Sequence, residues 1–192
     1  MKNYIVILAI CFPLLIYAQK RPFKYGKISQ EELKMESCDF YPEAESMIIG
    51  KFADINFHYM NDKGIQYKYD VTVRKKIFKV AGKEEANISI RIYEPAVGSS
   101  KEELTQVKGF TYNLVDGKEV KTKLTNDEEY KTRLNDYWVE VSFALPDVRE
   151  GSVIEYSYSK KSDFISNLDT WYFQEDIPVA YSDIHLVLPE YY

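Results

Sequence analysis

The stretch Ile65-Gln66-Tyr67-Lys68-Tyr69-Asp70-Val71-Thr72-Val73-Arg74 places an apolar or aromatic residue at every second position. Side chains on a β-strand point to opposite faces in turn, so this pattern predicts a strand with one buried and one polar face. The preceding residues 61–64, Asn-Asp-Lys-Gly, are typical of a turn. They predict that an earlier strand over residues 55–59 folds back onto this one.

The same period of two recurs along the chain, in the runs 88–92, 110–114, 139–145, 154–158 and 184–188. Asp116-Gly117, followed by Val120, predicts a tight hairpin, because this dipeptide adopts the left-handed backbone of such turns. Ser29 and Glu32 have the spacing of a capping box at the start of a brief helix. Residues 102–107 and 127–134 are candidates for further short helices.

These elements predict one all-β domain over residues 19–192, a mainly antiparallel two-sheet β-sandwich with one or two short helices. The chain has 192 residues, of which 45% are hydrophobic and 15% aromatic, enough for a core of this kind. Its net charge of −5 argues against a nucleic-acid binder, which normally carries a basic surface. We therefore expect no nucleic-acid partner.

The first 18 residues predict a signal peptide. Lys2 precedes an apolar run from Tyr4 to Tyr17, and Ala18 offers a small residue for cleavage. The run is shorter than the ~20 residues that span a bilayer as a helix, although an uncleaved anchor is the alternative. Ile10 is too bulky for the position before a lipidated cysteine, so we do not expect lipidation at Cys11. The sequence thus predicts an exported protein, periplasmic, associated with the cell envelope or secreted, and not integral to a membrane after cleavage.

Nucleophilic and metal chemistry has little support in the sequence. After signal cleavage, Cys38 is the only thiol, and the carboxylate of Asp39 beside it disfavours a thiolate. The two histidines, His58 and His185, sit in strand patterns that predict exposed or edge positions. No spacing matches a metal site, a phosphate-binding glycine loop or a serine-hydrolase elbow. We therefore expect no catalytic residue, metal or cofactor in this chain.

Three further features have alternative interpretations. The carboxylates Glu102-Glu103 and 127–129 could supply an acid/base pair, although such runs are usually solvated surface. The basic run 74–79, Arg-Lys-Lys-Ile-Phe-Lys, predicts the edge of a sheet protected by lysines, with contact to anionic polymers as the alternative. Trp138 and the trio 171–173, Trp-Tyr-Phe, predict either core residues or a flat platform for sugars and peptides.

Several motifs also occur in an order that resembles a known family. They are Lys121-Thr122-Lys123-Leu124, Tyr137-Trp138, Phe143-Ala144-Leu145-Pro146-Asp147-Val148, Gly151-Ser152-Val153-Ile154-Glu155-Tyr156, Trp171-Tyr172-Phe173-Gln174, Ile177-Pro178-Val179 and Leu188-Pro189-Glu190-Tyr191-Tyr192, after the early Ile28-Ser29-Gln30-Glu31-Glu32-Leu33 and Tyr41-Pro42. Over residues 26–192 the chain resembles the domain of unknown function that precedes a transglutaminase-like domain in secreted bacterial proteins.

The resemblance implies a β-sandwich and an exported location. In longer family members the catalytic Cys, His and Asp lie in the later domain, so no residue here receives those roles. The sequence predicts a non-catalytic accessory or binding module, whose unknown partner could be that later domain or a cell-envelope peptide or glycan. One alternative is the truncated front portion of a transglutaminase-like cysteine peptidase or cross-linking enzyme, because the chain ends abruptly after the last predicted strand. The other is a carbohydrate-binding module, which rests on the aromatic residues alone.

Overall fold

The computed structural model describes residues 21–125 and 129–190, and the predicted signal peptide lies outside this range. Within these ranges, one α-helix, α1 (Gln30–Lys34), precedes the strands, and a 3₁₀ segment (Val80–Ala86) follows the second strand. The strands are β1 (Ser46–Met60), β2 (Gly64–Ile77), β3 (Asn87–Tyr93), β4 (Glu102–Val115), β5 (Lys118–Lys123), β6 (Glu129–Arg133), β7 (Trp138–Ala144), β8 (Val153–Ser162) and β9 (Ser182–Val187).

The strands form two sheets that pack face to face, which confirms the predicted all-β sandwich. The larger sheet has six strands in the order β5-β4-β8-β2-β1-β9, and the smaller has three in the order β3-β7-β6. All pairs are antiparallel except β1 with β9, which runs parallel. The parallel pair can form because the long segment 163–181 carries the chain back from β8 to the far edge of the sheet.

The core lies between the two sheets and follows the predicted alternation. Tyr67, Tyr69, Val71 and Val73 of β2 are all buried, and they pack with apolar side chains of β1, β7 and β8. The Asp116-Gly117 hairpin has left-handed φ angles of 50° and 73°, as its sequence predicts. The Ser29–Glu32 capping box also forms, with both of its hydrogen bonds present.

Both additional helix predictions are wrong. Residues 102–107 belong to β4, and residues 129–133 of the second candidate form β6. A bulge between Thr105 and Lys108, with Gln106 at a φ of 56°, shifts the alternation within β4 and conceals its period from the sequence. β6 is an edge strand with mostly exposed residues, so it has no apolar face to reveal it.

The basic run 74–79 is not a sheet edge, contrary to the prediction. β2 lies between β1 and β8, and the side chains of Arg74 and Lys76 are fully buried. Both residues point to the outer face of the large sheet. There the N-terminal segment and α1 cover them. The face of β2 predicted to be polar and exposed is therefore buried at this end, and its charges are paired.

Arg74 joins this N-terminal layer to the sheet. Its guanidinium donates to Glu155 at 2.6 Å, to Glu32 at 2.7 Å and to the carbonyl of Lys27 at 2.6 Å. Glu155 is also fully buried, and its second oxygen accepts from the Gly26 amide at 2.8 Å and the Tyr112 hydroxyl at 3.1 Å. Charged groups removed from water require this degree of pairing, since an unpaired buried charge is strongly destabilising.

We expect Arg74→Met to lower the free energy of unfolding by about 3–5 kcal/mol, because it leaves the Glu155 carboxylate buried without its cation. Lys68→Met is the matched control on the same strand. Lys68 pairs with Asp70 at 2.8 Å in a partly exposed position, so its loss should cost less than about 1 kcal/mol. Urea denaturation measures both variants, and equal losses would contradict the role given to Arg74.

Candidate functional site

A concave surface opens between the two sheets on the side of β3, and we call it the tyrosine cleft. Tyr69, Tyr156 and Tyr158 form its floor on the large sheet, residues 89–91 of β3 form one wall, and residues 169–172 with Glu175 form the other. Its volume is about 560 Å³. This lies within the 300–1,000 Å³ typical of ligand-binding pockets.

The cleft exists because the small sheet is narrower than the large one. Three strands cannot cover the inner face of six, so segment 163–181 covers part of that face with Trp171 and Ile177, which pack against the main core. Burial raises the pKa of the floor residues Tyr69, Tyr156 and Tyr158, so their hydroxyls stay neutral at physiological pH. The floor is therefore aromatic and uncharged.

Lys51 of β1 holds the wall of the cleft that residues 169–172 and Glu175 form. Its ammonium pairs with Glu175 and lies 4.6 Å from the centre of the Trp171 ring, a cation–π contact. The Trp171 indole N–H donates to the Ser182 hydroxyl at 3.1 Å, and the ring meets Tyr69 edge-on. Trp171 is thus held from three sides and serves as both partial core and cleft wall.

Lys160 of β8 holds the other end of the same wall. Its ammonium lies 3.0 Å from Glu102 and 2.6 Å from Asp169. Burial opposes its charge, but the hydrogen bond and the charge of Asp169, with the charge of Glu102, raise the pKa of Lys160 overall. Glu102 also accepts from the Tyr93 amide at 2.9 Å. One buried cation therefore connects β8, β4, β3 and segment 163–181.

A smaller aromatic pocket of about 250 Å³ adjoins the cleft, and the two share Arg91 and Asp169. Its lining includes Tyr93, Trp138 and Phe164, and the Tyr93 ring meets the other two edge-on. Trp138 is 40% exposed. It is accordingly a surface aromatic of this pocket rather than a core residue.

The structure places the candidate nucleophile apart from both histidines. Cys38 is fully buried in an apolar cluster with Ala44, Met47 and Phe78 on the N-terminal side of the fold. His185 lies on β9 with a largely exposed side chain, 3.7 Å from Asp54, and His58 lies near the end of β1. The described residues therefore present no thiol with an adjacent imidazole.

The predicted carboxylate candidates divide between two environments. Glu102 is buried in the Lys160 ion pairs, whereas Glu103 is exposed on the same strand. Residues 127 and 128 lie outside the described residues, and burial raises the pKa of Glu129 in β6.

Within residues 21–125 and 129–190, no three His, Cys, Asp or Glu side chains are grouped to hold a metal ion. The helices of these same ranges include none long and apolar enough to cross a membrane.

Sequence reasoning did not single out Lys51, Glu175, Lys160 or Asp169. A signal was nevertheless present for the two lysines. Lys51 shares its face of β1 with Ala53 and Ile55, and Lys160 shares its face of β8 with Tyr156 and Tyr158. A lysine at a position where the alternation predicts a buried side chain indicates an internal ion pair, because lysines are rarely buried without a partner.

A second large cavity, of about 690 Å³, lies on the N-terminal side between α1 and the turn at 149–151, beside Lys76. The Lys76 ammonium donates to the carbonyl oxygens of Leu33 at 2.8 Å and Gly151 at 2.7 Å. Burial lowers its pKa from 10.5 to about 8. Lys76 thus secures the end of α1 and the turn, and its contacts give it a structural role.

Comparison with known proteins supports the fold. No family model matches the sequence, and no curated protein matches it either. Among solved structures, a putative protease from Parabacteroides distasonis matches with a TM-score of 0.58 and 14% identity over 77% of this chain. A putative nutrient-binding protein from Legionella pneumophila aligns over 62% of the chain and 40% of its own, with 7% identity and a TM-score of only 0.28.

The protease match concerns only part of that protein. The aligned region is 29% of the protease chain, so this chain corresponds to less than a third of its length. At this level of identity the likeness shows a shared β architecture.

We expect the free energy of unfolding to rise with pH through the titration of Lys76. Between pH 8 and 10.5 the unfolded chain keeps a proton that the folded chain has lost, so the folded state gains stability as the pH increases. The gain from pH ~7 to ~9.5 should be about 1–2 kcal/mol by this linkage. Buried tyrosines act in the opposite direction above pH ~10, so the measurement stops below that value.

Urea denaturation across this range checks the prediction. Lys76→Met should remove the additional rise, whereas Lys68→Met, which changes a partly exposed lysine of the same strand, should keep it. An identical pH dependence in the wild-type chain and Lys76→Met would show that Lys76 titrates normally.

Proposed function

We propose that this chain is a non-catalytic β-sandwich module of an exported protein, which binds a ligand in the cell envelope and accompanies a transglutaminase-like domain. The observation that carries the proposal is the tyrosine cleft, a concave surface with a neutral aromatic floor and a wall held by ion pairs to two buried lysines, Lys51 and Lys160. Preorganised surfaces of this kind favour binding, because little conformational entropy is lost when a ligand enters.

The non-catalytic part of the proposal draws support from the chemistry of the described residues. A cysteine nucleophile needs access to substrate and a nearby base. Cys38 has neither an exposed sulfur nor a histidine in its cluster. The carboxylates beside the cleft, Glu102 and Asp169, flank the ammonium of Lys160, so each already has a cationic partner.

The accessory part draws support from two separate sources. The motif order over residues 26–192 resembles the domain that precedes transglutaminase-like domains. The fold also matches 29% of a longer protein described as a putative protease, in which the rest of the chain has room for a catalytic domain. Both sources favour a module that works beside an enzyme, and the signal pattern over residues 1–18 favours export.

Binding to panels of peptidoglycan fragments, envelope glycans and peptide pools tests the role of the cleft. We expect a ligand in the panels that binds the mature chain at least tenfold more tightly than it binds Trp171→Ala, which removes one cleft wall. Tyr130→Ala is the control, since Tyr130 is an exposed aromatic of β6, the strand furthest from the cleft in the small sheet. Turnover of any panel member that is lost in Cys38→Ser or Glu102→Gln would refute a non-catalytic role.

The mass of the native protein tests the accessory role. An antibody raised against residues 21–190 should capture, from the envelope or medium of the source cells, a polypeptide larger than the 22.5 kDa of this chain. Mass spectrometry of its peptides should identify a following domain with Cys, His and Asp. A captured species no larger than the present chain, with no such domain bound to it, would contradict this part of the proposal.

A further inference from the structure

One edge of β3 is free to pair with another strand. At the two ends of the β3–β7 ladder, the Leu145 N–H donates to the Ala86 carbonyl at 3.0 Å and the Glu94 N–H donates to the Tyr137 carbonyl at 2.9 Å. The main-chain N–H and C=O groups of the even-numbered residues of β3 therefore point towards β7. The amide and carbonyl groups of the odd-numbered Ser89 and Arg91 therefore point the other way. Among the described residues, no strand pairs with that side of β3.

This free edge forms part of the tyrosine cleft. Residues 89–91 are one of its walls, and the floor below them is the aromatic inner face of β2 and β8. At the end of the edge, the Tyr93 amide donates to the Glu102 carboxylate, so the free stretch stops there. An unpaired backbone edge and an apolar floor thus meet in the same concave surface.

We propose that the tyrosine cleft binds an extended peptide that pairs with β3 as a fourth strand of the small sheet. The inference rests on the binding role proposed above and names its ligand class. Backbone N–H and C=O groups spaced along a strand are matched by the backbone of another extended chain, which supplies affinity through main-chain hydrogen bonds. The added strand would also widen the small sheet, which would then cover more of the inner face of the large sheet.

The side chains around the edge define which peptide fits. Side chains of the added strand that point inward would contact Tyr69, Tyr156 and Tyr158, so apolar or aromatic residues are favoured. Those that point outward would lie beside Arg91. The Arg91 side chain is 70% exposed, and its Nε lies 3.6 Å from the Glu140 carboxylate. An acidic residue is favoured at that position because opposite charges on neighbouring strands attract.

The far wall of the cleft limits the occupant to a single chain. Residues 169–172 and Glu175 face β3 across the cleft and are held by Lys160 and Lys51. A second copy of this protein would bring a whole sheet to the β3 edge and meet this wall. A peptide of a few residues fits the volume of about 560 Å³.

Selection of a phage-displayed random heptapeptide library on the mature chain supplies the probes. The enriched peptides are then synthesised with a fluorescein label and titrated by fluorescence anisotropy at physiological salt. We expect alternating apolar and polar sequences with an acidic outward position. Failure to enrich any peptide above the background on Ser89→Pro would overturn the inference.

Ser89→Pro is the decisive variant. Proline removes an N–H that the β3–β7 ladder does not use, so the fold is retained while the added strand loses a hydrogen bond and meets the proline ring. We expect at least tenfold weaker peptide binding. Glu119→Pro is the matched control on the β5 edge, because Leu124 N–H faces β4 and the odd-numbered Glu119 faces away from it. Its affinity should stay within twofold of wild type.

Hydrogen exchange of the wild-type chain gives a second test that does not depend on the folding of a variant. Peptide at saturation should slow exchange of the Ser89 or Arg91 amides, and unchanged exchange at both would contradict strand addition. Envelope glycans that bind in a Trp171-dependent manner, with equal affinity for Ser89→Pro, would overturn the peptide inference and leave the proposed binding role intact. If neither peptides nor glycans bind, both fail.

Discussion

The buried ion pair of Arg74 and Glu155 is the interaction on which the rest of this fold depends. It lies at the centre of the outer face of the large sheet, and both side chains are fully buried. Burial of these charges is tolerable only because Glu32, Tyr112 and main-chain groups of the N-terminal segment complete their hydrogen bonds. The segment before β1 is therefore part of the domain, since its removal would leave the pair exposed to water and incompletely bonded.

Buried cations paired with carboxylates also occur on the inner face of the large sheet, where they hold one wall of the tyrosine cleft. Lys160 and Lys51 each pair with a carboxylate from segment 163–181, and each is itself buried. Main-chain hydrogen bonds to β1 hold the end of that segment at Pro178, Ala180 and Tyr181. The ion pairs and Trp171 hold its middle part, residues 169–175. The segment thus stands at a distance from β3, and the tyrosine cleft lies between them.

This division of roles leaves a concave opening on the surface of a sandwich whose two sheets differ in size. The N-terminal layer covers Arg74, Lys76 and Glu155 on the outer face, and the small sheet with segment 163–181 covers the inner face except at the tyrosine cleft. The remaining opening combines a rigid aromatic floor with unpaired backbone groups at Ser89 and Arg91. Natural sheets usually protect such edges. Here segment 163–181 shields the edge from another sheet while leaving room for a single chain.

Local sequence determined the elements whose signals are local. Alternation identified β2, β3, β7 and β8, the Asp116-Gly117 dipeptide identified the β4–β5 hairpin, and Ser29 with Glu32 identified the start of α1. These predictions succeeded because neighbouring side chains on one strand share a face and because turns depend on the backbone preferences of two or three residues. β4 escaped recognition at its start because the bulge at Gln106 interrupts the alternation.

Only the tertiary structure decided which strands are central and which residues meet. The basic run at Arg74 reads as an edge, because local sequence cannot show that α1 and the N-terminal segment cover it. The cleft likewise combines Lys51, Ser89, Tyr156 and Trp171, which come from four separate parts of the chain. Strand order and the path of segment 163–181 bring them together through long-range pairing and buried charge, and neither is written in any single stretch of sequence.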